Sequence, residues 1–250
     1  MMNAVISGLQ QIKHRSLCLP IFFMIVSVYL SSIDIICKLI QESPPLPAGY
    51  HNDFILKTLQ TDVIASIIPI LAPLPFSGTY VDDIKSKYAR LLIFRTSINT
   101  YLISRILLCF FLGGTVIILG TIIAWIASFL VFFPMETSAE EIIDSAVCLQ
   151  KTFILLFING GLWAIIGMSM STLMESQYIA YSSPFIFYYL LLILCERYFV
   201  NLFLQSPKNW INLSSYWPYD FWGPAIIMIE LATIFTCVYT VCAGRRLQEL

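Results

Sequence analysis

Runs of roughly 18 to 25 apolar residues recur six times along this chain of 250 residues. Each is long enough to cross a hydrocarbon core of about 30 Å as a helix rising about 1.5 Å per residue. They cover about 17–40, 59–75, 106–133, 153–173, 179–203 and 221–243. Backbone in lipid must satisfy its own N–H and C=O groups, so the expected fold is an all-α membrane protein, with six transmembrane helices in one domain spanning 1–250. The composition agrees, because 58% of residues are hydrophobic and only 12% are charged, far from the balance of a soluble domain. In the second run Asp62 and the prolines Pro69, Pro73 and Pro75 predict a start at headgroup depth and an irregular end.

Orientation follows from where the basic residues collect. With six spans, one side carries Lys13, Arg15, Lys85, Lys87, Arg90, Arg95, Arg105, Arg245 and Arg246, which is most of the 14 Lys and Arg. Both termini are therefore expected in the cytoplasm, and 76–105 becomes the first cytoplasmic loop. Met2, Val5, Ile6, Leu9 and Ile12 repeat at helical spacing, which predicts an N-terminal interfacial helix. Before the last span, Trp210, Trp217 and Trp222 with Tyr216 and Tyr219 suit either an aromatic belt at the far interface or a short re-entrant element.

The loop at 76–105 holds the densest group of charges in the chain. Thr79 with Asp82 forms a capping-box-like start, and Asp82 and Asp83 fall at the positive end of the helix dipole. Tyr80, Ile84, Tyr88 and Leu91 share one face, Lys85, Lys87 and Arg90 follow, and Arg95 and Arg105 are placed to snorkel at the interface. Such a helix can dock on a partner, or its stripe can rest on the membrane surface or on neighbouring helices.

This architecture resembles the permease subunits of ABC-2 type transporters. The local pattern Ser77-Gly78, Asp82-Asp83, Lys85, Tyr88, Arg95-Thr96-Ser97 and Tyr101-x-x-x-Arg105 is similar to a stretch in small bacterial permeases of that group. Lys87 stands where a glycine is common there, and Arg105 where a lysine is usual. The resemblance implies a six-span exporter subunit of the bacterial cytoplasmic membrane, in which this loop is a coupling helix. Tyr80, Asp82, Asp83, Ile84, Lys85, Tyr88 and Leu91 would then meet a separate ABC ATPase that binds ATP and magnesium. It also implies a second permease, identical or a sister subunit, to enclose the pathway. The chain contains no G-x-x-x-x-G-K-[ST] phosphate loop, so hydrolysis is expected in the partner and no cofactor in this chain.

Asp34, Asp62 and Glu230 are the carboxylates nearest to hydrocarbon. Asp34 and Glu230 are the candidates for the translocation path, because an ionisable group within a span is expected to face protein or water. Gly160, Ala164, Gly167 and Ser171 form a small-residue stripe for close helix packing, within the chain or between copies. A stand-alone ion-coupled carrier using Asp34 and Glu230, or a membrane scaffold or sensor subunit, is the alternative reading. Gly167-Met168-Ser169-Met170 offers a serine but no histidine base, since His14 and His51 lie outside the spans, so an intramembrane protease is not expected. The seven cysteines form no C-x-x-C pair, and a net charge of −1 gives no reason to expect nucleic acid.

Overall fold

In the computed structural model the described residues are 17–42, 46–93, 96–136, 142–198, 206–212, 217, 219 and 221–248, with side chains of 142–144 left aside. The expected N-terminal interfacial helix, Arg95 and Tyr216 lie outside them. Among the described residues ten α-helices occur: α1 (Cys18–Ser31), α2 (Ile33–Glu42), α3 (Tyr50–Leu59), α4 (Asp62–Leu71), α5 (Thr79–Lys85), α6 (Tyr88–Ile93), α7 (Ile98–Phe132), α8 (Ile142–Met174), α9 (Gln177–Ile193) and α10 (Trp222–Gln248). Four are long and apolar enough to cross a membrane, namely α7 to α10. The number rises to six if α1 with α2 and α3 with α4 each count as one bent span.

An irregular end is expected of the second span at its prolines, and both bent pairs have a local cause. Between α1 and α2 the axis turns by 43°. Here Ser27, Ser31 and Ser32 donate their hydroxyls back to the carbonyls of Phe23, Val28 and Tyr29, at 2.6, 2.9 and 2.9 Å. Such back-bonding competes with the helical ladder and bends it. Beyond the bend, α2 is amphipathic: Ile35, Ile36 and Leu39 pack on the core, while Asp34, Cys37 and Lys38 are exposed. Between α3 and α4 the turn is 70°. Thr61 is extended there, with φ −74° and ψ 146°, and starts the second helix. Pro69 lies inside α4, and turns replace helix from Ala72 to Gly78, where Pro73 and Pro75 deny the ladder its donors.

The central helix is α8, whose 18-residue apolar stretch is 72% buried against 39, 28 and 22% for the corresponding stretches of α7, α9 and α10. Its stripe of small residues is spent on neighbours within the chain. At the crossing with α7 a Cβ built on Gly160 would lie 2.8 Å from the Gly113 carbonyl oxygen. One built on Gly167 would lie 2.4 Å from the Ala180 carbonyl oxygen, with Pro73 and Pro184 close by. Ala164 accepts the Ser77 hydroxyl at 2.8 Å, and Ser171 donates to the Ser77 carbonyl at 3.2 Å. Gly167→Ala is therefore expected to lower stability by about 1–3 kcal/mol, read by thermal unfolding in detergent.

At the end of the bundle away from α5, Glu136 ties the first long connection to the end of α7. Its carboxylate accepts the backbone N–H of Gly49 at 3.0 Å and of His51 at 2.9 Å, and lies 2.8 Å from His51 Nδ1. Burial pushes the Glu136 carboxyl up, but the N–H groups and ring of His51 and the N–H of Gly49 pull it further down, for a net lowering. A depressed carboxyl stabilises the fold above its unfolded pKa of about 4.3 and loses that contribution as pH falls through its folded value. The stability difference between wild type and Glu136→Gln is thus expected to be constant near neutrality and to shrink in acid, as a pH series of unfolding curves would show.

Between α9 and α10 the chain returns into the bundle. Leu194–Tyr198 is π-helical and Pro207–Trp210 is a 3₁₀ turn packed between α4, α9 and α10. Trp210 is buried and stacks on Trp163 of α8, with centroids 5.9 Å apart. Trp217 is buried too, its Nε1 donating to the Asn209 carbonyl at 3.3 Å. Of the three tryptophans read from this stretch, only Trp222 is exposed in the manner of an aromatic belt. Lys208 Nζ lies 3.0 Å from Glu196 and 3.5 Å from Asp62, so the turn is also tied to α4 and to the π-helical segment.

Candidate functional site

The loop at 76–105 folds differently from one continuous amphipathic helix. Lys87 adopts a left-handed conformation, φ 58°, and divides it into α5 and α6. Glycine enters that conformation freely and lysine does not, so the break is built into the backbone at this position. The expected capping box is absent, because the Thr79 hydroxyl donates to the Phe76 carbonyl at 2.8 Å and the N-cap is Gly78.

With the loop broken there, α5 packs against α8 and α9 and turns Asp83 inward. Tyr101 and Arg105, one helical turn apart on α7, both reach that carboxylate. Tyr101 Oη donates to Asp83 Oδ2 at 2.8 Å, and Arg105 Nη2 lies 2.5 Å from the same oxygen. All three residues are at most 1% exposed. The guanidinium also faces the rings of Phe76 and Tyr101, at 5.4 and 5.3 Å. Arg105 is therefore no snorkelling interface residue but half of a buried ion pair, in which hydrogen bonds and ring faces replace the lost water. The i, i+4 spacing of Tyr101-x-x-x-Arg105 has this structural meaning.

The last helix joins the same cluster. Tyr80 of α5 and Tyr239 of α10 are fully buried and meet edge to face, with centroids 5.6 Å apart. Burial pushes the Tyr80 hydroxyl up to about 12, so it stays neutral near pH 7. Beside them Arg246 donates to the carbonyls of Thr172 and Leu173 and pairs with Glu175 at 3.1 Å. A guanidinium there satisfies the free carbonyls at the C-terminus of α8 and complements its dipole. One cluster thus links α5 with three long helices, α7, α8 and α10.

The residues read from the sequence as the docking set divide between inside and outside. Tyr80 and Asp83 are corrections, since both are inside the bundle and unable to touch a partner in this arrangement. Ile84 is half-buried against the same core, and Asp82 and Tyr88 are half-buried. Lys85, Lys87, Arg90 and Leu91 are exposed, Leu91 by 67%. The outward face is therefore basic with one aliphatic tip. Tyr239, Arg246 and Glu175 were not singled out for this site, and only the cluster of Arg245 and Arg246 at the helix end hinted at them.

Asp34 and Glu230, the two carboxylates read as candidates for a translocation path, are both exposed on this chain. Among the described residues no group of three or more His, Cys, Asp or Glu side chains is placed to hold a metal ion. No family model, curated protein or solved structure matches the chain.

Proposed function

We propose that this chain is the membrane-spanning permease subunit of an ATP-driven exporter of the ABC-2 type, working with a separate ATPase and a second permease. The observation that carries this reading is the buried tie from Asp83 to Tyr101 and Arg105. It lets a short helix outside the spans act as a handle on them, which a driven permease needs and a passive scaffold does not. In this reading the α5–α6 end faces the cytoplasm, and closure of the ATPase dimer pushes on the face formed by Lys85, Lys87, Arg90 and Leu91. Arg105 and Tyr101 carry that push into α7, while Tyr239 and Arg246 carry it into α10 and the end of α8. Rigid-body motion of packed helices then opens and closes the path. An ion-coupled carrier would gather its carboxylates in one sheltered site, whereas Asp34 and Glu230 are each exposed. The experiment is affinity purification in mild detergent with identification of the co-purifying chains. An ATPase in stoichiometric amount, active in the purified complex, is the expected result, and its absence from active membranes contradicts the reading.

A further inference from the structure

The exposed face of α10 is unusual for a helix of its length in lipid. Its ends are marked by Trp222 at one side and Arg245 with Arg246 at the other, the residue types that sit at membrane interfaces. A hydrocarbon core of about 30 Å corresponds to about twenty residues, which counts back from Arg245 to Ala225. Glu230 then lies roughly 7 Å inside the apolar layer. It is exposed on this chain, and a carboxylate at that depth is strongly disfavoured against lipid.

Glu230 is also not alone. Thr233 and Cys237 are exposed, Thr240 and Gly244 are half-exposed and Gln248 is exposed. At 100° per residue these six positions fall within roughly 80° of one another on the helix. They form a single polar seam about 27 Å long. Near its basic end the seam borders a groove of about 680 Å³, where Thr240, Gly244 and Gln248 line the space together with the apolar Ile98, Leu102, Ile103 and Val241 and with the cationic Arg245. A Cβ on Gly244 would meet only Leu102, at 3.9 Å, so the small residue leaves open space there rather than serving a packed contact. The threonine hydroxyls are satisfied by their own helix, Thr233 donating to the Glu230 carbonyl at 2.7 Å and Thr240 to that of Cys237 at 2.9 Å. The seam therefore does not need a second protein to satisfy its hydroxyls, but its carboxylate needs water.

We infer that this face of α10, from Glu230 through Thr233, Cys237 and Thr240 to the groove at Gly244, is this subunit's wall of a water-filled translocation path, and that Glu230 gives the path a preference for positively charged groups. The inference rests on the proposed function, in which a second permease closes the opposite side. It assigns the outer face of the last helix to that path. Cationic or zwitterionic substrates, such as amine-bearing peptides, fit this chemistry better than anionic ones.

Cys237 is a native reporter, two helical turns or about 10 Å from Glu230. The thiolate, which forms in water and not in lipid, attacks the thio sulfur of a hydrophilic methanethiosulfonate, forming a mixed disulfide and releasing methanesulfinate. The test is applied to the full chain in native membrane fragments open on both sides and without nucleotide, so its outcome does not depend on ATP drive. Labelling is located by peptide mass spectrometry, with the fully buried Cys109 as the unreactive control. A cationic methanethiosulfonate is expected to label Cys237 about tenfold faster than an anionic one, and Glu230→Gln should bring the two rates within about twofold. Labelling only by an apolar, membrane-permeant maleimide would place the seam against lipid and overturn the inference. No labelling by any reagent would make it a dry protein contact, with the same consequence. Equal rates for both charged reagents, or a ratio unchanged in Glu230→Gln, would remove the preference for cations.

Discussion

Arg105→Met will destabilise the protein by about 3–5 kcal/mol, because it leaves the Asp83 carboxylate buried without its counter-charge. That is a large share of the 5–15 kcal/mol by which domains are typically stable, and the variant should lose much of its folded yield in detergent. Stability should recover when the whole triad is made apolar. Asp83→Leu, Tyr101→Phe and Arg105→Met together remove every polar group of the triad, so neither charge of the pair stays buried without the other. The triple variant should unfold close to the wild-type temperature, as apolar replacements of buried ion pairs often do. Equal losses in the single and triple variants would mean that shape, and not unpaired charge, sets the cost. The comparison is read from thermal unfolding followed by size-exclusion chromatography.

The second large effect concerns the partner and separates the inward from the outward residues of the loop. Lys85→Glu, Arg90→Glu and Leu91→Ala together reverse the charge of the exposed face and remove its aliphatic tip, while touching none of the buried cluster. Since a few central anchors dominate most interfaces, a loss of roughly 3 kcal/mol or more is expected, which is over a hundredfold in affinity for the proposed ATPase. Folding and membrane level should stay at wild type. Tyr80→Ala should do the opposite, costing about 3–5 kcal/mol of stability through the cavity against Tyr239, with ATPase affinity preserved in the molecules that fold. Quantitative co-purification at matched membrane levels distinguishes the two patterns, and full retention by the surface variant would move the docking site off this loop.

Those contrasting variants show where the sequence stopped being informative. Apolar length predicts α7 to α10 well, because a run of twenty or more such residues has few stable forms other than a membrane helix. It does not predict the bend after α1, which depends on three serine hydroxyls choosing carbonyls over solvent. Nor does it predict the 70° turn, where Thr61 leaves the helical region. The stripe of Tyr80, Ile84, Tyr88 and Leu91 was visible as a pattern, but a pattern does not say whether the apolar side meets a partner or its own bundle. The left-handed Lys87 answers by splitting the stripe, so that Tyr80 packs inward and Leu91 points out. Arg105 looked like an interfacial arginine because its counter-charge comes from another helix. Its neighbour Tyr101 is 18 residues from Asp83 in sequence, and only the docking of α5 brings them together. Glu230 was recognised from depth alone, and the direction it faces depends on the rotation of α10, which apolar residues on nearly all sides leave open.

The account turns on the α5–α6 face as the place where an ATPase meets this chain, and the lysines already present can report it. Lys85 and Lys87 are exposed at that face, whereas Lys38 and Lys57 are exposed on helices of the bent first two spans, away from the α5–α6 cluster. The measurement is amine-reactive cross-linking of the purified complex, followed by mass spectrometry of the linked peptides. The account predicts links from Lys85 and Lys87 to the ATPase and none from Lys38 or Lys57. An ATPase linked to Lys38 or Lys57 instead, or a complex with no ATPase to link, would contradict it.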